Sequence, residues 1–214
     1  MSTKEKILRL INNDVFYKAP PEFFTCGSTD PIYPDNKVPQ HHANYYRLYH
    51  ALADHYQPRR IMEIGVRLGY GIGSLTLGCS TPPDYVEGWD NECYIQASLN
   101  KARKNIETLN PPPKSLTLRK LDSQKEEKLL ASFDLVSIDG DHTYSGAKHD
   151  IEIVAPYCKV MLVDDYHPKN HPGVFRATNE FLAANEGIIK EHFSVTADDF
   201  TGQSIKGTYV IEFK

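Results

Sequence analysis

Met62-Glu63-Ile64-Gly65-Val66-Arg67-Leu68-Gly69-Tyr70-Gly71-Ile72-Gly73-Ser74 carries a short apolar run into a turn with glycines at 65, 69, 71 and 73. Arg60–Gly65 reads as a strand, and the stretch after the turn reads as a helix to about Gly78. Glycine has no Cβ, so this turn lets the backbone come close to a nucleotide-like ligand. The spacing is not the GxGxxG of a dinucleotide site: Gly69-Tyr70-Gly71-Ile72-Gly73 is GxGxG and comes too late after the strand. A glutamate inside that strand, Glu63, is also a poor neighbour for a pyrophosphate. The stretch predicts a strand–turn–helix unit that receives something other than a dinucleotide.

Downstream the alternation repeats. Strands are expected at Asp84–Asp90, Ser115–Leu121, Phe133–Asp139 and Lys159–Asp164. Ile95, Leu99, Ala102, Ile106 and Leu109 form a stripe at helical spacing. Lys125–Ala131 is expected as a short helix, Tyr144–Ala155 as a helix stopped by Pro156, and Val174–Ala184 as the last helix. Lys159–Asp164 has the continuous apolar run of a parallel strand buried on both faces. The tail alternates as two strands, Glu191–Thr196 and Gly207–Phe213. Five strand–helix units closed by an antiparallel hairpin predict a doubly wound, mostly parallel α/β sheet of seven strands with right-handed crossovers.

Upstream, Ser2 and Glu5 can form a capping box for a helix to about Ile11. Tyr45, Leu48, Tyr49, Leu52 and Tyr56 make a second helical stripe, ended by Pro58. Residues 19–40 differ, with Pro20, Pro21, Pro31, Pro34 and Pro39 around Phe23, Phe24 and Tyr33. They read as an irregular aromatic arm. The expected organisation is an N-terminal helix and arm, or lid, over 1–42, and one α/β domain over 43–214.

The chain has 214 residues, 24 Lys+Arg against 28 Asp+Glu, and a net charge of −4. Its 40% hydrophobic and 24% charged content is that of an ordinary globular protein. The acidic balance offers no basic field, so neither nucleic acid nor an anionic membrane is expected as a partner. No apolar run approaches the ~18 residues of a membrane span. The first residues lead into an amphipathic segment, not a secretory core. Cys26, Cys79, Cys93 and Cys158 are far apart, with no CxxC. Free thiols in a reducing cytoplasm are expected.

Acids cluster by position. Each of the five parallel strands carries one at or near its C-terminal end: Glu63, Asp90, Asp122, Asp139 with Asp141, and Asp164 with Asp165. In an open parallel sheet those ends line one crevice, where ligands bind. Asp90, 27 residues after Glu63, falls on the neighbouring tip, where a carboxylate can accept both hydroxyls of a ribose. Ile138-Asp139-Gly140-Asp141-His142 and Val163-Asp164-Asp165-Tyr166 stand on consecutive strands. Asp139, Asp164 and Asp165 make an oxygen-rich site suited to Mg²⁺ first, or to Mn²⁺ or Ca²⁺. Asp141 or Thr143 is expected to cap the following helix.

Glu63-Ile64-Gly65 with Gly69, an acid closing the second strand, and Asp122-Ser123-Gln124 after the third resemble class I S-adenosylmethionine-dependent methyltransferases over roughly residues 43–213. The resemblance implies S-adenosylmethionine as cofactor in the crevice at Glu63–Gly69. Gly65 and Gly69 would flank its methionine portion, Asp90 its ribose, and Asp122, Ser123 and Gln124 its adenine. IDGDH followed by VDDY is similar to the metal-dependent O-methyltransferases of the macrocin and mycinamicin type, which act on sugar hydroxyls of natural products. That likeness implies Asp139, Asp164 and Asp165 as metal ligands and His142 as general base, with Asp139 beside it in catalysis. It also implies a small-molecule or glycan acceptor, such as a deoxyhexose. Tyr166, His167 and His171, just past the acids, and Phe23, Phe24 and Tyr33 of the arm are the candidates for touching it. His149 and His192 are expected to be structural.

In the mechanism so implied, a divalent ion lowers the pKa of the acceptor hydroxyl and His142 removes its proton. His142 stands at a helix start, so the helix dipole and the cation are expected to hold it below ~6.5, against the pull of the aspartates. Two rivals remain. A catechol-type O-methyltransferase shares the metal logic, but its pattern places lysine where His142 stands. A nucleotide-cofactor oxidoreductase, or a non-catalytic nucleotide binder, needs a phosphate-cradling turn that is not found. Asn110-Pro111-Pro112-Pro113 superficially resembles the NPPY of amino-group nucleic-acid methyltransferases but precedes the third strand, and is expected as a loop. A homo-oligomer is compatible with all of this.

Overall fold

A computed structural model describes residues 1–12, 40–93, 95–196, 199 and 207–214, with 40–45 described by their backbone alone. Phe23, Phe24 and Tyr33, expected to touch the acceptor, lie outside the described residues. Helices α1 (Thr3–Asn12) and α2 (Gln40–Tyr56) precede β1 (Arg60–Ile64), α3 (Tyr70–Gly78), β2 (Tyr85–Asp90), α4 (Ser98–Glu107) and β3 (Leu116–Lys120). Then come β4 (Phe133–Ile138), α5 (Tyr144–Val154), β5 (Cys158–Val163), α6 (Pro172–Ala184), β6 (Ile189–Thr196) and β7 (Gly207–Phe213). The strands form one seven-stranded sheet in the order β3-β2-β1-β4-β5-β7-β6. The first five are parallel, and β7 runs antiparallel between β5 and β6.

Strand alternation sends side chains to two cores. Ile61, Val86, Leu135, Val160, Leu162 and Val210 face one side, against Leu48 and Leu52 of α2, Ile72 and Leu75 of α3, and Ala102 and Ile106 of α4. Met62, Ile64, Val136, Ile138, Met161 and Val163 face the other, against Ala147, Ile151 and Val154 of α5 and Val174 and Ala177 of α6. Each Val, Leu, Ile or Met among them, fully removed from water, contributes roughly 1.5–3 kcal/mol. The α1 capping box forms as expected: Ser2 N donates to Glu5 Oε2 at 2.7 Å and Glu5 N to Ser2 Oγ at 3.2 Å.

Two expected elements differ. Lys125–Ala131 is not a helix; a single 3₁₀ turn covers Ser123–Lys125 and the chain then runs through turns. Of its two leucines only Leu129 is buried, and Leu130 is 78% exposed, so no apolar face exists to hold so short a helix against its nucleation cost. The stripe from Ile95 to Leu109 is helical only over Ser98–Glu107. Ala97 is left-handed at φ 58°, so Ile95 packs from the turn before the helix.

Register fixes the tips. Ile64 pairs with Ile138, and Ile138 with Val163, so the residues that follow each lie side by side. Asp139 N donates to Ile64 O at 2.8 Å, and Asp164 N to Ile138 O at 2.9 Å. The winding reverses between β1 and β4, which makes that junction the switch point where such sheets take ligands.

Candidate active site

At the switch point Gly65 has φ +90°, and a Cβ there would fall 1.9 Å from Asp139 O. Gly69, at φ +81°, starts α3 with its missing Cβ against Ala102 of α4 at 3.2 Å. Gly71 leaves room for Glu63, whose Oε1 would be 2.1 Å from a Cβ. Gly65, Gly69 and Gly71 are thus required by contacts within the protein itself. Glu63 is buried, and its Oε2 accepts from Ile72 N at 3.1 Å. Burial first, and then the charge of Asp139, push its pKa well above the ordinary carboxylate range.

Asp90 ends β2 and ties two turns together. Its Oδ2 accepts from Arg67 N at 2.7 Å and its Oδ1 from Glu92 N at 2.6 Å. Both donors sit at positive φ, 48° and 57°, and these bonds help hold them there. Asp122 caps the 3₁₀ turn through Gln124 N, and its ion pair with Lys125 lowers its pKa. Gln124 Nε2 donates to Asp150 Oδ1 at 2.9 Å, and His149 Nε2 lies 3.0 Å from the carbonyls of Ser123 and Glu126. Asp150, which burial raises to about 6, was not singled out from sequence, yet it fastens this turn to α5. Its one signal was a carboxylate on the apolar face of an expected helix.

The acids past β4 and β5 converge. Asp139, Asp164 and Asp165 each bring a carboxylate oxygen within 4.8 Å of the others, with Asp164 and Asp165 buried. Three carboxylates at this separation are a donor set that a hard divalent cation fits. Thr208 Oγ1 of β7 donates to Asp164 Oδ1 at 2.9 Å.

His142 Nε2 is 3.2 Å from Asp139 Oδ1 and 3.6 Å from Asp165 Oδ2. The hydrogen bond to Asp139 raises its pKa to about 9, with partial burial opposing and Asp165 and Asp164 adding to the rise. The carboxylates thus pull the ring toward its protonated form, as expected of them; the expected lowering belongs to the cation-loaded site. Asp141 Oδ1 accepts from Thr143 N at 2.9 Å, and Thr143 caps α5 through Gly146 N, so both residues serve the helix start as expected.

The histidines beyond β5 divide. His167 is turned to its own loop, its Nδ1 accepting from Lys169 N and Asn170 N at 3.3 and 3.1 Å. Tyr166 packs on Phe175 and Tyr209 and exchanges hydrogen bonds with Asn179 of α6. His171 reaches the acids: its Nε2 lies 3.5 Å from Asp165 Oδ2 and its ring meets His142 edge-on at 4.7 Å. Gly173 explains the approach, because a Cβ there would fall 2.6 Å from His142 O and from Tyr144 N. The start of α6 therefore abuts the start of α5. His192 bonds Tyr209 and, like His149, is structural.

Residues 62–166 match a family model described as a methyltransferase domain. In fold the chain is similar to an O-methyltransferase from Bacillus cereus solved with S-adenosylhomocysteine, at 18% identity and TM-score 0.58, over 99% of this chain and 91% of that one. It is similar to TomG of Streptomyces achromogenes, an O-methyltransferase involved in tomaymycin synthesis and solved with S-adenosylmethionine, at 16% identity and TM-score 0.62 over 100% of both chains. The Podospora anserina methyltransferase PaMTH1, solved with S-adenosylhomocysteine, matches at 15% identity and TM-score 0.61, over 100% of this chain and 97% of that one. No curated protein sequence matches the chain. The fold is that of the class I S-adenosylmethionine-dependent methyltransferases, and residues 62–166 match a methyltransferase domain. Among the described residues no helix is long and apolar enough to cross a membrane.

Proposed function

We propose that the chain transfers the methyl group of S-adenosylmethionine to a hydroxyl of a sugar, such as a deoxyhexose on a glycan or glycosylated natural product. The observation that carries this is the juxtaposition of three carboxylates on adjacent strand tips with His142 Nε2, 3.2 Å from Asp139. The crevice between Glu63 and Asp90 takes the cofactor, with Asp90 facing its ribose, Gly65 and Gly69 its methionine portion and Asp122, Ser123 and Gln124 its adenine. Asp139, Asp164 and Asp165 hold a divalent ion, Mg²⁺ by the chemistry of its all-oxygen donors. Such an ion supplies positive charge that acidifies a neighbouring hydroxyl and offsets the carboxylates.

The residues then divide the work. The C–S bond to the methyl group breaks as the O–CH₃ bond forms, and the hydroxyl proton goes to His142 Nε2. His142 must be neutral to accept it, so its proton has to be released before turnover. Binding sulfonium and oxygen in line supplies much of the remaining rate advantage. The aromatic arm of residues 19–40 serves as the lid and 43–214 as the catalytic domain.

The test incubates the protein with S-adenosylmethionine, Mg²⁺ and a panel of deoxyhexosides, following acceptor mass. Gain of one CH₂ with release of S-adenosylhomocysteine is expected. Gain on catechols and on none of the sugars would move the acceptor to phenolic diols, and no binding of S-adenosylmethionine would end the proposal.

A further inference from the structure

Two donor sets meet at Asp165. Beside the carboxylate set, His142, His171 and Asp165 also bring one ligand atom each within 4.8 Å of the others. Both imidazoles approach the same oxygen: His142 Nε2 is 3.6 Å and His171 Nε2 3.5 Å from Asp165 Oδ2. Around an ion with bonds of about 2.0–2.1 Å, tetrahedral ligands stand roughly 3.3 Å apart, so the two imidazole–carboxylate spacings need to close by only a few tenths of an ångström, and the imidazole–imidazole spacing is within 4.8 Å. The rings meet edge-on at 85°, so they do not stack. Backbone geometry builds the arrangement: Gly173 seats α6 on α5, and Asp165 is held left-handed at φ 52°.

We propose that His142, His171 and Asp165 form a second cation site, selective for first-row transition ions such as Zn²⁺ and overlapping the carboxylate site through Asp165. Imidazole suits Zn, Cu, Fe and Ni, whereas carboxylate and water suit Mg, Ca and Mn. Two histidines with one carboxylate, and further positions open, is the ligand set of catalytic zinc and of non-haem iron. Both sites draw on Asp165. A His142 that ligates through Nε2 also has no lone pair there for a proton. Zn²⁺ therefore stops the turnover that Mg²⁺ supports; this consequence rests on the proposed methyl transfer, whereas the binding itself does not.

The test uses the full chain stripped of metal, without cofactor or sugar. Co²⁺ is titrated in and followed by visible absorption. An intense ligand-field band from a four- or five-coordinate ion is expected, displaced by equimolar Zn²⁺. Losing a mere outer-sphere partner costs about 10–100-fold in metal affinity, so His171→Ala should weaken Co²⁺ binding at least tenfold. His167→Ala should leave it unchanged. X-ray absorption of the Zn²⁺-loaded wild type should count two imidazoles, and it requires no variant to fold. An all-oxygen shell around Zn²⁺, or Co²⁺ affinity unchanged in a folded His171→Ala, overturns the proposal. Neither readout involves methyl transfer, so that result leaves the acceptor assay to stand or fall by itself.

Discussion

Thr208 Oγ1 donates to Asp164 Oδ1 at 2.9 Å, from the last strand to the tip of β5. Both residues are buried, so the bond fixes which way that carboxylate points. Thr208→Val keeps the shape and deletes the donor. Mn²⁺ affinity measured by calorimetry should fall about 10–100-fold, the usual cost of losing a ligand's outer partner. Affinity for S-adenosylhomocysteine should hold. If Mn²⁺ binds the variant as tightly as the wild type, Asp164 does not hold the ion.

Asp90 anchors two backbone amides and is assigned to the ribose. Asp90→Ala should weaken S-adenosylhomocysteine binding by about 1.5–3 kcal/mol, the range for hydrogen bonds to a charged group. Circular dichroism should show the sheet intact. Unchanged affinity in calorimetry removes the ribose assignment.

His142 links pH to both stability and turnover. Its pKa in the cation-free protein, about 9, lies above the ordinary histidine value, so the folded state binds the proton more tightly than the unfolded chain. The stabilisation is complete below the unfolded pKa of ~6.5. It is lost as pH rises through about 9. Denaturant midpoints of the stripped protein should fall across that window, and His142→Gln should flatten the fall. Mn²⁺ binding should expel the proton, read as a dependence of the calorimetric heat on buffer ionisation. A heat independent of buffer contradicts it.

As general base, His142 should also cost on the order of 10²–10⁴ in turnover when replaced by Gln. Near-normal rates with an unaltered pH–rate profile would transfer the role to another base, and His171 is the residue placed to take it.

Gly65→Ala tests the junction of β1 and β4. The added Cβ would meet Asp139 O at 1.9 Å, at a backbone angle few side chains adopt. Overpacking of this kind costs typically 1–3 kcal/mol, and left-handed backbone adds roughly 1–2 kcal/mol. Urea denaturation should register the sum, and Mn²⁺ affinity should fall with it because Asp139 must move. A midpoint within error of the wild type contradicts the contact.

Strand tips were legible in the sequence because two signals coincide there: apolar runs that parallel strands bury on both faces, and the acid that ends each run. Ile138-Asp139 and Val163-Asp164 show both, and register then aligns them without further information. The division between His167 and His171 was not legible. Each precedes a proline, and only the turn between them decides which ring caps its own loop and which reaches Asp165. Asp90 and Gly65 were singled out by spacing as neighbours of a ligand, whereas Arg67 N, Glu92 N and Asp139 O show the protein's own backbone beside them, which spacing alone did not reveal.

Helix α5 begins two residues after His142 and carries Asp150 on its second turn, where Gln124 is fastened. Asp150 Oδ2 stands 2.8 Å from where a Cβ of Gly140 would fall, beside the Asp139–Asp141 tip. One side chain therefore touches both the Asp122–Gln124 turn and the turn that follows β4. On the proposed assignment a cofactor at the first and a cation at the second would meet through Asp150, and any such coupling is thermodynamically reciprocal: each ligand changes the other's affinity by the same factor.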